Sequence, residues 1–330
     1  MDFTLETLTA AINDMPYLPT QLGASGLFTY DGIPTLTVYV ERQGSTLSLV
    51  PTAPRGAPGI AIGRDQRSMK PFQLAHLPMN DTVWADEVQG VRAFGSTTAA
   101  NPFQARVDRV MAKGKDKLSY TLEHMRVGAL KGIVLDADGS VIANLFNEFG
   151  TAGQPLTKTE FTIGLAADTT KVRALCSEVT DLIGEKLDGV MSTGFEGWVN
   201  GPTFRALVEH KMVRDTYLNQ SEAASLRGEM PDSIDIGGIT WRKYRGMARG
   251  QQLIETGKGY VVPKGVPDLF IGRFGPANYM ETVNTDGLPV YAKGIDRPNG
   301  TGVDIEMQSN PFHCCTRPQA VCHVTFTMPA

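Results

Sequence analysis

KLSYTLEHMRVGALKGIVLDADGSVIANLFNEFG, residues 117–150, runs from the end of a long amphipathic helix straight into a tight β-hairpin. Upstream, Asn101 is a good helix N-cap and Pro102 suits the first helical position. From there Phe103, Val107, Val110 and Met111, Leu118, Leu122, Met125 and Leu130 recur at mostly helical spacing, with Gly114 as the weak point. A helix from Asn101 to Lys131 would hold ~30 residues and reach ~45 Å at a rise of 1.5 Å per residue. Gly132 ends it, and Asp138-Gly139 supplies the positive φ of a hairpin turn. A long helix joined to a hairpin places surfaces, and this segment holds no catalytic constellation.

The helix is also basic. Arg106, Arg109, Lys113, Lys115, Lys117, Arg126 and Lys131 stand against Asp108, Asp116 and Glu123. Such a run most often marks a solvated face. The alternative is a face turned toward packaged nucleic acid or an acidic neighbour.

The surrounding sequence indicates an α+β fold. Thr4–Asn13 forms a short helix with Leu5, Leu8, Ala11 and Ile12 on one side, ended by Pro16 and Pro19. Thr35–Val50 reads as two strands joined at Gln43-Gly44, and Phe72–Leu77 as a returning strand. Residues 168–187 give the cleanest helix, capped at Asp168 or Thr169, with Val172, Leu175, Cys176, Val179, Leu182 and Ile183 in one stripe. Another helix starts at Pro202 and carries Phe204, Leu207 and Val208 inward. At the end, Ala320, Cys322, Val324 and Phe326 share one face of a strand.

Between the early strands lies Pro51–Lys70, PTAPRGAPGIAIGRDQRSMK. It is rich in Gly and Pro and sets Arg55, Arg64, Arg67 and Lys70 against Asp65 alone. A loop this long inside a compact unit is usually functional. It reads either as an ordinary solvated loop or as an arm that reaches a neighbouring subunit.

Composition narrows the function. The chain has 330 residues, enough for a sizeable core and two lobes, with 31 basic and 35 acidic side chains, a balance that excludes a generally basic nucleic-acid coat. No apolar run reaches bilayer length, and the start lacks the features of a signal peptide, so a cytosolic origin with reduced Cys176, Cys314, Cys315 and Cys322 is expected. The chain lacks GxxxxGK[ST], GxGxxG after a strand, HExxH, GxSxG and CxxC. No catalytic residue, cofactor or metal is therefore expected. His313, Cys314, Cys315, Cys322 and His323 form one metal-capable cluster, but adjacent strand residues point to opposite faces, so packing is the better reading. Asp136–Gly139 lacks the later ligands of a calcium loop and reads as a hairpin turn.

Several segments, in order, resemble one family. They are TLTAAIN (7–13), TYDGIPTLTVYVERQGSTLSLVPTAPRGAPG (29–59), HLPMNDTVWADEVQGVRAFG (76–95) and LKGIVLDADGSVIANLFNEFG (130–150). GWVNGPTFRALVEHKMVRDTY (197–217), FGPANYMETVNTDGLPVYAK (274–293) and EMQSNPF (306–312) complete them. Together they are similar to the lambda-type capsid protein E family of tailed-phage major capsid proteins, which has the Hong Kong 97 capsid fold.

The resemblance implies an N-terminal arm (1–34) lying on a neighbour and a β-hairpin with an extended loop (35–78). A peripheral domain with a spine helix and hairpin (79–150) and an axial domain (151–290) would follow. C-terminal strands (291–330) would return to the peripheral domain. It further implies that Arg55, Arg64, Arg67 and Lys70 contact an adjacent subunit. The shell would consist of hexamers and pentamers built in the host bacterial cytoplasm, enclosing double-stranded DNA without sequence specificity. Separate scaffolding protein, portal protein and maturation protease, and a decoration protein, are the implied partners; no membrane is involved. The competing expectations are a cellular nanocompartment shell of the same fold holding enzyme cargo, and a cytosolic enzyme with a non-local active site.

Overall fold

The computed structural model describes residues 4–16, 20–43, 67–89, 103–150, 154–187, 189–218 and 232–328. The chain opens with helices α1 (Leu5–Asp14) and α2 (Gln21–Ala24), then strands β1 (Thr29–Gly32) and β2 (Thr37–Gln43). Next come β3 (Arg67–Gln73), β4 (Leu77–Trp84) and the short α3 (Ala85–Val88). The long helix α4 (Phe103–Lys131) leads into β5 (Ile133–Leu135), β6 (Val141–Asn144) and α5 (Leu145–Glu148). The middle of the chain holds β7 (Thr159–Gly164), α6 (Val172–Lys186), β8 (Gly194–Asn200), α7 (Gly201–Glu209) and α8 (Lys211–Leu218). Next are β9 (Ser233–Ile236), β10 (Ile239–Tyr244), the small pair β11 (Met247–Ala248) and β12 (Gln251–Gln252), β13 (Lys258–Lys264) and β14 (Phe270–Phe274). The chain closes with β15 (Tyr291–Asp296), β16 (Gly302–Ser309), β17 (Pro311–Cys315) and β18 (Cys322–Thr327).

Helix α4 has 29 residues, so it spans about 43 Å, and it threads two separate cores. Its first half places Val107, Val110, Met111 and Leu118 against Leu8 and Ile12 of α1 and against Val83, Val290, Ala292, Val303, Ile305 and Met307. The last six come from β4, β15, β16 and the residue preceding β15; the three strands form one sheet in the order β15-β16-β4. Gly114 has a steric reason here, because an added Cβ would lie 2.4 Å from the Met307 side chain. The second half of α4 gives Met125, Val127, Ala129 and Leu130 to the larger core. That core packs around a six-stranded sheet ordered β7-β18-β13-β8-β10-β9, with α6 against one face through Val172, Cys176, Val179 and Ile183.

The helix ends at Gly132, whose φ is +76°, and the hairpin turns at Gly139, whose φ is +94°. Only glycine adopts such values without steric cost. Leu145 N–H then donates to the Gly132 carbonyl, fastening the end of the hairpin to the end of the helix.

The expected start of α6 is corrected, and three other expectations meet the structure as follows. First, the strand expected to follow Gln43-Gly44, up to Val50, lies outside the described residues. The partner of β2 is β3, in a register that sets Val38 opposite Phe72. That register buries Val38, Val40 and Phe72 on one face, where Phe72 packs 5.1 Å from Phe312 and 5.6 Å from Phe149. Second, α1 lies on its own chain. Leu8 and Ile12 complete the first core, Thr9 exchanges hydrogen bonds with the backbone of Ala292, and Asn13 donates to the Val290 carbonyl. Third, α6 starts at Val172, because Ala167–Thr170 closes a turn first through Thr170 N–H. Fourth, residues 291–328 divide. Strands β15 and β16 pair beside α4, whereas β18 enters the six-stranded sheet between β7 and β13, burying Cys322, Val324 and Phe326. Asn101 and Pro102 lie outside the described residues.

Candidate functional site on the long helix

The charges of α4 sort into two populations. Lys115 is buried, one turn from Met111 and from Leu118 on the apolar stripe. Its Nζ donates to the carbonyls of Ile12 (2.5 Å), Asn13 (3.1 Å) and Met15. Carbonyls at a helix C-terminus lack intrahelical partners and carry partial negative charge, so an ammonium there satisfies both needs. Burial lowers the Lys115 pKa, and the nearby Asp14 carboxylate opposes that shift.

Glu123 plays the mirror role. It accepts from the N–H groups of Leu22 (2.8 Å) and Gly23 (3.1 Å) in α2 and from the Tyr244 hydroxyl of β10 (3.1 Å). Arg126 donates to Glu123 (3.3 Å) and to the Tyr30 hydroxyl of β1 (2.7 Å), and its guanidinium lies 5.5 Å from the Tyr30 ring centre. Burial, reinforced by Glu123, pushes the Tyr244 pKa up. Burial also raises that of Tyr30, against the pull of Arg126. One turn of α4 thereby ties the N-terminal segment and the six-stranded sheet to the same helix.

The remaining cations point away. Arg106 pairs with Glu87 at 2.8 Å, and Lys131 with Glu255 at 3.3 Å. Arg109, Lys113 and Lys117 are exposed and form no ion pair among the described residues.

A second surface is apolar. Met280 (89 % exposed), Val283 and Leu288 stand on the turn that precedes β15. Beside them is a groove of about 960 Å³ between α1 and that turn, lined partly by Glu6, Asp14, Glu281 and Asp286.

Of the loop residues singled out by sequence, Arg55 and Arg64 lie outside the described residues. Arg67 and Lys70 fall in β3, opposite Gln43 and Val40. The histidine–cysteine cluster is not one site. His313, Cys314 and Cys315 belong to β17, whereas Cys322 and His323 belong to β18 in another sheet. His313 is buried edge-on to Phe28 (5.6 Å) and Tyr30 (6.0 Å), which holds its pKa well below the usual value. Burial pushes the Cys315 and Cys322 thiols up to about 12. Among the described residues, no three His, Cys, Asp or Glu side chains form a group that could hold a metal ion, and no helix is long and apolar enough to cross a membrane.

Comparison with known proteins decides the family. Residues 4–326 match the family described as phage major capsid protein E. The chain belongs to this family.

It is 24 % identical to the major capsid protein of Salmonella phage Felix O1, across 98 % of this chain and 96 % of that one. It is 25 % identical to the major capsid protein of Pseudomonas phage KPP10, across 90 % and 89 %. Its fold is similar to that in the capsid of cyanophage P-SCSP1u, with a TM-score of 0.55 at 12 % identity over 96 % of this chain and 90 % of that one. The mature capsid of bacteriophage PhiM1 gives a TM-score of 0.52 at 10 % identity over 95 % and 89 %. The architecture is the Hong Kong 97-like capsid fold. The protein is a structural component of the phage virion, a major capsid protein that builds a shell with further copies of itself.

The polar clasp of Lys115, Glu123 and Arg126 is the feature that charge counting misses. Its signal is periodicity: Lys115 sits on the Met111–Leu118–Leu122 stripe, and Arg126 stands four residues past Leu122. A charge on an apolar stripe points to an internal partner.

Proposed function

We propose that this capsid protein assembles as hexamers and pentamers into a closed icosahedral shell around double-stranded DNA, without catalysis of its own. The match to the capsid family over residues 4–326 carries this reading. In the same reading, residues 79–150 are the peripheral domain, 151–290 the axial domain, and 35–78 the extended loop that crosses to an adjacent subunit. Arg55, Arg64, Arg67 and Lys70 are its contact residues. The exposed apolar turn at Met280, Val283 and Leu288 supports burial against another subunit, since such residues suit the core of an interface. Scaffolding protein, portal protein, maturation protease and a decoration protein are the proposed head partners.

Electron microscopy and light scattering of the purified full-length chain test this reading. Closed shells or separate capsomers are expected. Replacing Arg55, Arg64, Arg67 and Lys70 together by alanine is expected to leave folded subunits that assemble poorly, because charged side chains contribute little to a hydrophobic core. A chain that stays monomeric with every head partner present contradicts the shell. A loop variant that assembles normally contradicts the contact.

A further inference from the structure

We infer that the outward face of α4 binds the phosphate backbone of duplex DNA through Arg109, Lys113 and Lys117, on the reading of the protein as a shell around DNA. The structure isolates these three. Of the seven cations on α4, Lys115 and Arg126 are committed to internal partners, and Arg106 and Lys131 to ion pairs. Those left are spaced at i, i+4 and i+8, so they form one stripe that rises about 6 Å per step and about 12 Å in all. Duplex DNA carries a phosphate charge about every 1.7 Å of axis, so a straight row of long cationic side chains meets several phosphates at once.

The composition of the face selects the partner. From Arg109 to Tyr120 the exposed residues of α4 are Arg109, Ala112, Lys113, Asp116, Lys117 and Tyr120. The Tyr120 hydroxyl is already engaged by the Met247 carbonyl, and Asp116 is the one acid. No exposed aliphatic residue larger than alanine interrupts the stripe. Cores of protein interfaces are depleted in Lys and enriched in Met and aromatics. The Met280–Leu288 turn exposes Met280, Val283 and Leu288, whereas the α4 stripe offers Tyr120 alone among such side chains. A row of point charges with no side chains aimed at base edges fits backbone binding without sequence preference.

The test measures binding of the full-length protein to a mixed-sequence duplex of about 30 base pairs, by fluorescence anisotropy, between about 50 and 200 mM salt. Each phosphate contact contributes about 0.9 to the slope of log K against log salt, so R109Q/K113Q/K117Q is expected to have a slope shallower by about 2.7. Each single Gln variant should lose about a third of that, and K113R/K117R should keep the wild-type slope. Circular dichroism confirms that each variant is folded, and the single variants retain the test if the triple one is not. An unchanged slope and affinity in the folded Gln variants overturns the proposal, as does loss of binding in K113R/K117R. Tighter binding of this face to polyglutamate than to the duplex overturns it in favour of an acidic protein partner. Electron microscopy of the same samples separates the two readings. Wild-type subunits or capsomers that go on to close into shells but fail to bind the duplex before closure overturn the DNA face and leave the shell standing. DNA binding without shells does the reverse.

Discussion

Lys115 and Lys117 stand two residues apart on one helix, in opposite surroundings. Lys115 is enclosed and caps the carbonyls of α1, whereas Lys117 is open to solvent and joins Arg109 and Lys113 in a stripe. The same contrast runs along all of α4. Its inward charges end on backbone groups and buried side chains of the same subunit, while Arg109, Lys113 and Lys117 on its outward side form no ion pair among the described residues. A charge count treats the two populations as one basic helix. Their geometry separates what holds the subunit together from what the subunit presents to its surroundings.

The contrast breaks most visibly at Glu123. Replacing it by alanine strands two backbone N–H groups, the Tyr244 hydroxyl and the Arg126 guanidinium in a buried site. Removing one member of a buried charged network typically costs about 3–5 kcal/mol. A large drop in thermal midpoint is therefore expected, with α2 released from α4. A midpoint equal to wild type would show that the cluster is not the clasp described.

The lysine pair sharpens the same comparison at smaller scale. Lys115→Met leaves three carbonyls without their donor, so a loss of about 1–3 kcal/mol is expected in chemical denaturation. Lys117→Met should change stability by no more than about 0.5 kcal/mol, as for most exposed substitutions. Equal effects at the two positions would erase the distinction.

Acid probes the larger core in a graded way. Burial, aided by Lys158, Lys131 and Lys258, lowers the pKa of His323 from 6.5 to about 4. The unfolded chain therefore takes up the proton first, and the stability from keeping His323 neutral is present above pH 6.5 and is lost as pH falls toward about 4. The loss is at most about 1.4 kcal/mol per pH unit for this residue. His323→Gln should flatten the fall in thermal midpoint between those pH values. His313, lowered in the same direction, keeps part of the fall in place. Identical profiles with and without His323 would contradict the assignment.

Local features of the fold were open to sequence reading, and long-range ones were not. Helical spacing from Val107 to Leu130 marks α4, and the glycines at 132 and 139 mark its end and the hairpin turn, because each reports on backbone within a few residues. The alternation of Cys322, Val324 and Phe326 likewise gives the buried face of β18. Strand pairing depends on residues far away. Val38 meets Phe72, more than thirty residues on, and β1 pairs in parallel with β14, over two hundred residues later. Nothing in a strand's own sequence names such a partner. The clasp was half visible: Lys115 lies on the apolar stripe, but its acceptors are carbonyls, which every residue carries and no side-chain pattern reveals.

An electron cryo-microscopy map of the DNA-filled shell tests the division of α4 most directly. The expected map shows closed shells of this chain, with Lys115 and Glu123 enclosed inside each subunit and Arg109, Lys113 and Lys117 lining the lumen against the packaged DNA. A map with those three on the outer surface, or covered by an adjacent subunit, would contradict it.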